Sequence, residues 1–463
     1  MKVMKFGGSS IADSERIRNV LSIVTGELAH QQICLVFSAM KGVTDELLAA
    51  ADAAAAGDDS YVGFAAAIEE HHLAVACDLV EGSVDTGLAD SVKSDCHDLE
   101  ELLHGVRLVR ECTPRTRDLI VGFGERLSCR IIAAALASKG LPACYVDARE
   151  LIRTDDTHGN AGVIFDETYR QIRLKLGATD RVHVVTGFIA STADGVSTTL
   201  GRNGSDYTAS LIGAGIEAES IEIWTDVDGV YSADPRYVPD AFVLPEISYR
   251  EAMELSYFGA EVIHPYTMGP AVERGIPLWI KNTLQPDTPG TLIASRSSGL
   301  NQLITGIASV EGVALINVEG GGMVGYPGIA GRIFSALATA RINIIMISQA
   351  SSEHSICFVV RDSVAAEATR AIERELESEI SRKKIEQLAV ERDLEIVAVI
   401  GENMRGRPGI SGRLFGALGD SDINVLAIAQ GSSEMNISFV VPRRDREKTL
   451  RAVHAAFFAG DKK

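Results

Sequence analysis

The chain begins with a stretch containing Lys5-Phe6-Gly7-Gly8-Ser9-Ser10, a lysine followed by two glycines and two hydroxyls. Bare glycine amides at the mouth of a helix can turn several N–H groups toward an anion, and a lysine adds a mobile positive charge. The same residues also suit an ordinary strand-to-helix turn, and they match neither the Walker A pattern nor the dinucleotide fingerprint. A second glycine loop, TTLGRNGSDYTAS at 198–210, places Arg202 inside the loop and Ser205-Asp206 at a helix start. Helix capping accounts for Asp206 but not for an arginine in the preceding loop. A third stretch, WTDVDGVYSADPR at 224–236, gathers Asp226, Asp228 and Asp234 with Tyr231 and Arg236, a set suited to ribose, adenine and phosphate contacts. A fourth, GFGERLS at 122–128, sets Glu125 and Arg126 after a strand-like run.

These residues need a scaffold, and the patterning supplies one. Residues 1–295 alternate apolar strands (KVMKF, QICLVFSA, RVHVVTGFIA, SIEIWTDVDGVY) with amphipathic or alanine-rich helices. That alternation predicts an α/β domain with an open sheet covered by helices on both faces. In such sheets ligands bind at strand ends, where the four stretches fall. Residues 60–118 carry no strand signal and read as a helical insertion.

The last third is a duplication. Residues 319–360 align with 400–441 without a gap, and about half the positions are identical. Each copy reads strand, glycine loop, helix, strand, turn, strand, helix, and the first continues into a further strand, IEQLAVER. The second copy has no such strand after its last helix. The apolar stretch LITGIA at 303–308 is therefore expected to complete its sheet and protect its edge, interlocking the two modules. The expected domains are 1–295, 303–392 and 393–463.

Composition excludes several classes. A formal net charge of −19 opposes nucleic acid or an anionic membrane as partner. No apolar run is long enough to span a bilayer, and no secretion signal is read at the N-terminus. Seven scattered cysteines without a C-x-x-C pair indicate reduced thiols, so a cytoplasmic protein without a metal cluster is expected.

Taken together, KFGGSS, GFGERLS, TTLGRNGSDY, WTDVDGVYSADPR and MELSYFGAEVIHP stand in the order found in aspartokinases of the amino acid kinase superfamily. The chain resembles that family along its whole length, including the tandem C-terminal ACT modules. It is similar to threonine-sensitive archaeal enzymes and to the kinase half of aspartokinase–homoserine dehydrogenases, and no dehydrogenase module is expected after the repeat. The resemblance implies an amino acid kinase-like open sheet followed by two βαββαβ, ferredoxin-like ACT domains. The implied activity is transfer of the ATP γ-phosphoryl group to the β-carboxylate of L-aspartate, with Mg2+ on the phosphates. A side-chain carboxylate of pKa about 3.9 is already ionised at neutral pH, so such a nucleophile needs no general base.

Carried over by motif, Lys5 meets the transferring phosphate, Gly7, Gly8 and Ser9 cradle it, and Asp206 orients Lys5. Arg202 pairs with an aspartate carboxylate, Glu125 accepts its ammonium, and Ser38, Thr44, Phe188 and Ser205 line the pocket. Thr225, Asp226, Tyr231 and Arg236 hold the nucleotide. Many relatives have a phosphate-contacting lysine where this chain has Glu261, leaving Lys281, another cation or no cation in that role. The ACT modules imply an amino-acid effector at Asn343, Gln349, Asn424 and Gln430, threonine first and lysine second, and a homodimer or homotetramer joined through them. A different acyl-phosphate-forming kinase and a catalytically dead sensor are the competing readings.

Overall fold

The computed structural model describes residues 1–80, 86–177, 180–258, 265–295, 302–321, 328–349 and 355–459. The chain forms two compact units, one of Met1–Val230, Pro245–Tyr249 and Val262–Ser297, the other of Tyr231–Leu244, Arg250–Glu261 and Ser298–Lys463.

Among the described residues, the first unit is built on ten strands. They are β1 (Lys2–Phe6), β2 (Ile33–Phe37), β3 (Ala143–Val146), β4 (Val182–Thr186), β5 (Ile189–Ser191), β6 (Ser197–Thr199), β7 (Ser220–Thr225), β8 (Glu246–Ser248), β9 (Leu278–Asn282) and β10 (Thr291–Ala294). Eight form one sheet in the order β3-β4-β2-β1-β7-β9-β10-β8, parallel from β3 to β9, with β10 antiparallel to β9. β5 and β6 form a separate hairpin.

The helices of this unit include α1 (Ser14–Leu28), α2 (Val43–Ala56), α3 (Tyr61–Leu79), α4 (Thr86–Val109), α5 (Pro114–Val121), α6 (Phe123–Ser138), α7 (Phe165–Leu176) and α8 (Gly204–Gly215). Strand alternation sorts β1: Met4 and Phe6 enter a large apolar core with α1, α3 and α6, while Lys5 faces α8 across the sheet. Within 60–118 the described residues form α3, α4 and the start of α5, with no strand among them, as their pattern indicates. The run before Gly122 is also helical, against the strand-like reading. Thr113 caps α5 and Pro114 occupies its first turn, which fixes a helix that so short an apolar run does not reveal.

The second unit adds α9 (Tyr249–Tyr257, whose first residue belongs to the first unit), and the repeat. The repeat contains β11 (Gly306–Glu319), β12 (Met346–Gln349), β13 (Ser355–Arg361), β14 (Gln387–Ile400), β15 (Ala427–Ala429) and β16 (Asn436–Pro442). These make one antiparallel sheet in the order β12-β13-β11-β14-β16-β15. β11 and β14 are each 14 residues long and pair along most of their lengths, with Gly306-Ile307-Ala308 against Ile400-Val399-Ala398. Each long strand thus serves both copies of the repeat. The outer strands also meet, since the Ser348 hydroxyl donates to the Ile428 carbonyl at 2.9 Å, and neither edge is left bare there.

Candidate active site

The C-terminal ends of β1, β2 and β4 meet the first turn of α8. Lys5 and Asp206 come together there: Lys5 Nζ lies 2.6 Å from Asp206 Oδ1, and their side chains are only 10% and 11% exposed. The chain after Lys5 runs through Gly7 into a short 3-10 turn at Gly8–Ile11. The Gly7 N–H donates to the Trp224 carbonyl at 3.2 Å, and the Ser38 N–H to the Phe6 carbonyl at 3.2 Å. A methyl group on Gly8 would lie 2.7 Å from the Ala39 carbonyl oxygen, so only glycine lets these two loops stack. Ser9 is half-buried beside them, and its carbonyl accepts from Arg16. Ser38 and Thr44 are half-buried on the loop after β2 and in the first turn of α2.

β4 ends in Gly187-Phe188. The Gly187 N–H donates to the Phe37 carbonyl at 2.8 Å, and a methyl group on Gly187 would sit 2.5 Å from Ser205 Oγ. Phe188 has φ of 65°, an uncommon conformation for a bulky side chain, held by its N–H bond to Thr208 Oγ1 (3.1 Å) and by the Leu200 N–H on its carbonyl (2.9 Å). Gly187 and Thr208 are residues the motif reading missed. The signal for Thr208 is its place one helical turn after Gly204, whose carbonyl its hydroxyl also bonds.

Glu125 lies in the first turn of α6 and is fully buried. Its Oε1 accepts the Ala39 N–H at 3.1 Å, while Oε2 finds no hydrogen-bond partner among the described residues. Loss of water pushes its carboxyl up to about 8 from an ordinary 4.5, only partly offset by backbone hydrogen bonds. A buried carboxylate with a spare oxygen favours an incoming cation. Arg202 is exposed on the loop before α8. Arg126, beside Glu125, pairs with Asp95 of α4 at 2.6 Å, tying the helical insertion to α6.

The remaining sequence-derived residues divide. Thr225 and Asp226 sit at the end of β7, the Thr225 hydroxyl donating to Asp226 at 3.2 Å. Tyr231 and Arg236 belong to the second unit, where Tyr231 pairs with Val243 and Arg236 is held by Asp234 at 2.6 Å. Glu261 lies outside the described residues. Lys281 is on the sheet face of Met4 and Phe6, not that of Lys5, and its ammonium is 3.1 Å from Glu222. That placement opposes Lys281 as a phosphate contact beside Lys5. In the repeat, Asn343, Gln349, Asn424 and Gln430 are all exposed, with Gln349 ending β12 and Gln430 just past β15. The glycine loop of the first copy falls mostly outside the described residues. Among the described residues no cluster of three His, Cys, Asp or Glu can hold a metal ion, and no helix is long and apolar enough to cross a membrane.

The amino acid kinase family pattern matches residues 1–282, and the ACT domain pattern matches 316–376 and 397–457. The bifunctional aspartokinase/homoserine dehydrogenase 1 of Arabidopsis thaliana is 38% identical over 98% of this chain and 51% of its own length. Aspartokinase 1 of the same plant is 35% identical over 99% of this chain and 80% of its own. The chain spans about half the length of the bifunctional relatives it matches. Among solved structures, Escherichia coli aspartokinase III in complex with aspartate and ADP superposes with a TM-score of 0.81 at 28% identity, covering 99% of this chain and all of that one. Clostridium acetobutylicum aspartate kinase gives 0.82 at 28% identity, with the same coverage. With one family pattern over residues 1–282, the ACT pattern matched twice after it and aspartokinases alike along nearly the whole chain, the chain belongs to the amino acid kinase family, in its aspartokinase branch with tandem ACT domains.

Proposed function

We propose that this protein is an aspartate kinase, transferring the γ-phosphoryl group of ATP to the β-carboxylate of L-aspartate to give 4-phospho-L-aspartate. The buried Lys5–Asp206 pair under a glycine-lined turn carries this reading. The chemical task is to bring a carboxylate onto a triphosphate, and fixed cations and oriented amides offset the repulsion. Lys5, aimed by Asp206, steadies the charge on the transferring phosphate, and the Gly7–Ser9 turn presents backbone donors. Arg202 takes a carboxylate of aspartate. The open Oε2 of Glu125 takes its ammonium. Mg2+ accompanies the nucleotide, neutralising charge on its phosphates.

Thr225, Asp226, Tyr231 and Arg236 are the nucleotide contacts that the family likeness implies. The ACT repeat binds an amino-acid effector, threonine in preference to lysine, and joins subunits into a dimer or tetramer. Aspartokinase III of Escherichia coli, solved with lysine and aspartate, superposes with a TM-score of 0.80, which keeps lysine as the second candidate. Purified protein given ATP, Mg2+ and L-aspartate should yield an acyl phosphate trapped by hydroxylamine. Transfer to glutamate, N-acetylglutamate or carbamate but not aspartate would sink the proposal.

A further inference from the structure

Outside the residues assigned to substrate lies a second polar cluster, centred on Asp118 of α5. Asp118 is 3% exposed, and its two oxygens collect donors from distant segments. The Thr199 hydroxyl donates to Oδ1 at 2.6 Å, His158 Nδ1 lies 2.7 Å from Oδ2, and the Gly159 N–H is 3.1 Å from both oxygens. The loop containing His158 and Gly159 is itself braced: Asp155 Oδ1 accepts the N–H groups of Thr157 and Gly162, each at 3.0 Å. The same loop then grips the strand leading to α8. The Ala161 N–H donates to the Thr199 carbonyl at 2.9 Å, and Asn160 packs so closely on Gly201 (φ 76°) that a methyl group there would meet its Oδ1 at 2.5 Å.

Thr199 ends β6, and the chain passes directly through Gly201 to Arg202 and then to Asp206. Arg202 itself is exposed. The loop's geometry is set from behind, by Asp118, His158 and Asn160. We infer that Asp118 and His158 are positioning residues that hold the Arg202 loop in register for the acceptor's carboxylate, and so govern affinity for the acceptor rather than for ATP. This rests on the proposed role of Arg202. Neither residue touches the phosphate-side pair of Lys5 and Asp206 among the described contacts, so the effect should be confined to one substrate.

Steady-state kinetics and thermal unfolding of the full chain test this. Thr199→Val and His158→Ala each remove one bond to Asp118 and should raise KM for aspartate about tenfold. kcat and KM for ATP should stay within about twofold, the signature of lost binding made equally in ground and transition states. His158→Asn, whose amide nitrogen sits where Nδ1 does, should restore most of the affinity. Arg202→Ala serves as the control. If it raises KM for aspartate while Thr199→Val and His158→Ala leave it unchanged, the inference fails and the proposed function stands. If Arg202→Ala itself leaves KM for aspartate unchanged, the underlying reading fails. A uniform loss of both affinities with a lowered melting temperature would reduce Asp118 to a scaffold and overturn the inference.

Discussion

The Lys5 ammonium and the Asp206 carboxylate meet at 2.6 Å between the first strand of the catalytic sheet and the first turn of α8. Both are largely removed from water, so each is the other's solvent. Replacing Asp206 by alanine strands a buried lysine, and breaking such a pair costs ~3–5 kcal/mol. Lys5→Ala and Asp206→Ala should therefore both lower the melting temperature. Turnover should fall by roughly a thousandfold for Lys5→Ala, as when a donor to developing charge is lost. Calorimetry and a coupled ADP assay check both effects; unchanged turnover would remove Lys5 from the chemistry.

On the proposed reading, in which Glu125 takes the acceptor's ammonium, aspartate binding depends on pH. The folded carboxyl of Glu125 titrates at about 8 against an ordinary 4.5. Between those values the folded chain holds a proton that the unfolded chain has lost, so this group erodes stability as pH climbs toward 8. An incoming ammonium favours the ionised form. Aspartate binding near pH 6.5 should then release close to one proton, and KM for aspartate should fall as pH rises to about 8. Calorimetric titrations in buffers of different ionisation enthalpy measure the proton. Glu125→Gln should abolish its release, weaken aspartate binding and raise stability at pH 8.

Gly8 is a steric prediction. A β-carbon there would lie 2.7 Å from the Ala39 carbonyl, a backbone atom that cannot swing aside. Gly8→Ala should push the phosphate turn off the β2 loop, costing ~1–3 kcal/mol as overpacking does. KM for ATP should rise with it. Gly26→Ala, inside α1 with nothing within 4 Å, is the control: it should leave KM for ATP unchanged and raise stability slightly, since a helical glycine is about 0.5–1 kcal/mol worse than alanine.

The proposed effector role is testable at the two outer strands of the six-stranded sheet. Ser348 bonds Ile428 across them, so the ends bearing Gln349 and Gln430 lie on adjoining strands. Threonine at millimolar levels should slow the kinase, and Gln349→Ala combined with Gln430→Ala should relieve that inhibition with little change in uninhibited rate. Inhibition by lysine alone would transfer the assignment to lysine.

Much of this was legible in residue order. Apolar strands alternating with helices announced the α/β sheet, and the gapless repeat announced two like modules. Glycines flanking Lys5 and Asp206 marked two turns that do lie together. Other features depended on long-range contacts that no local pattern carries. The stretch before Gly122 is apolar and short, so period cannot separate strand from helix there, and Pro114 with Thr113 decides it. The acidic stretch at 224–236 reads as one continuous loop. Its first half ends a catalytic strand, while Ser232 is drawn into the second unit by His454, 222 residues away. Asp118 gave no signal at all, because its partners at 158, 159 and 199 share no motif with it.

That divided loop bears on how the enzyme can be cut apart. Ala233 and Val238 lie in the same apolar core as Val397, Phe439 and Val453, with Phe242 packed against it and the Tyr237 ring 4.2 Å from the Arg446 guanidinium. A fragment ending near residue 297 would keep these residues yet strip away what covers them. Such a truncation would shed the ACT modules and expose a sticky, unmoored segment holding Tyr231 and Arg236. On the proposed reading, loss of inhibition is better sought by substituting Gln349 and Gln430 than by amputating the modules that carry them.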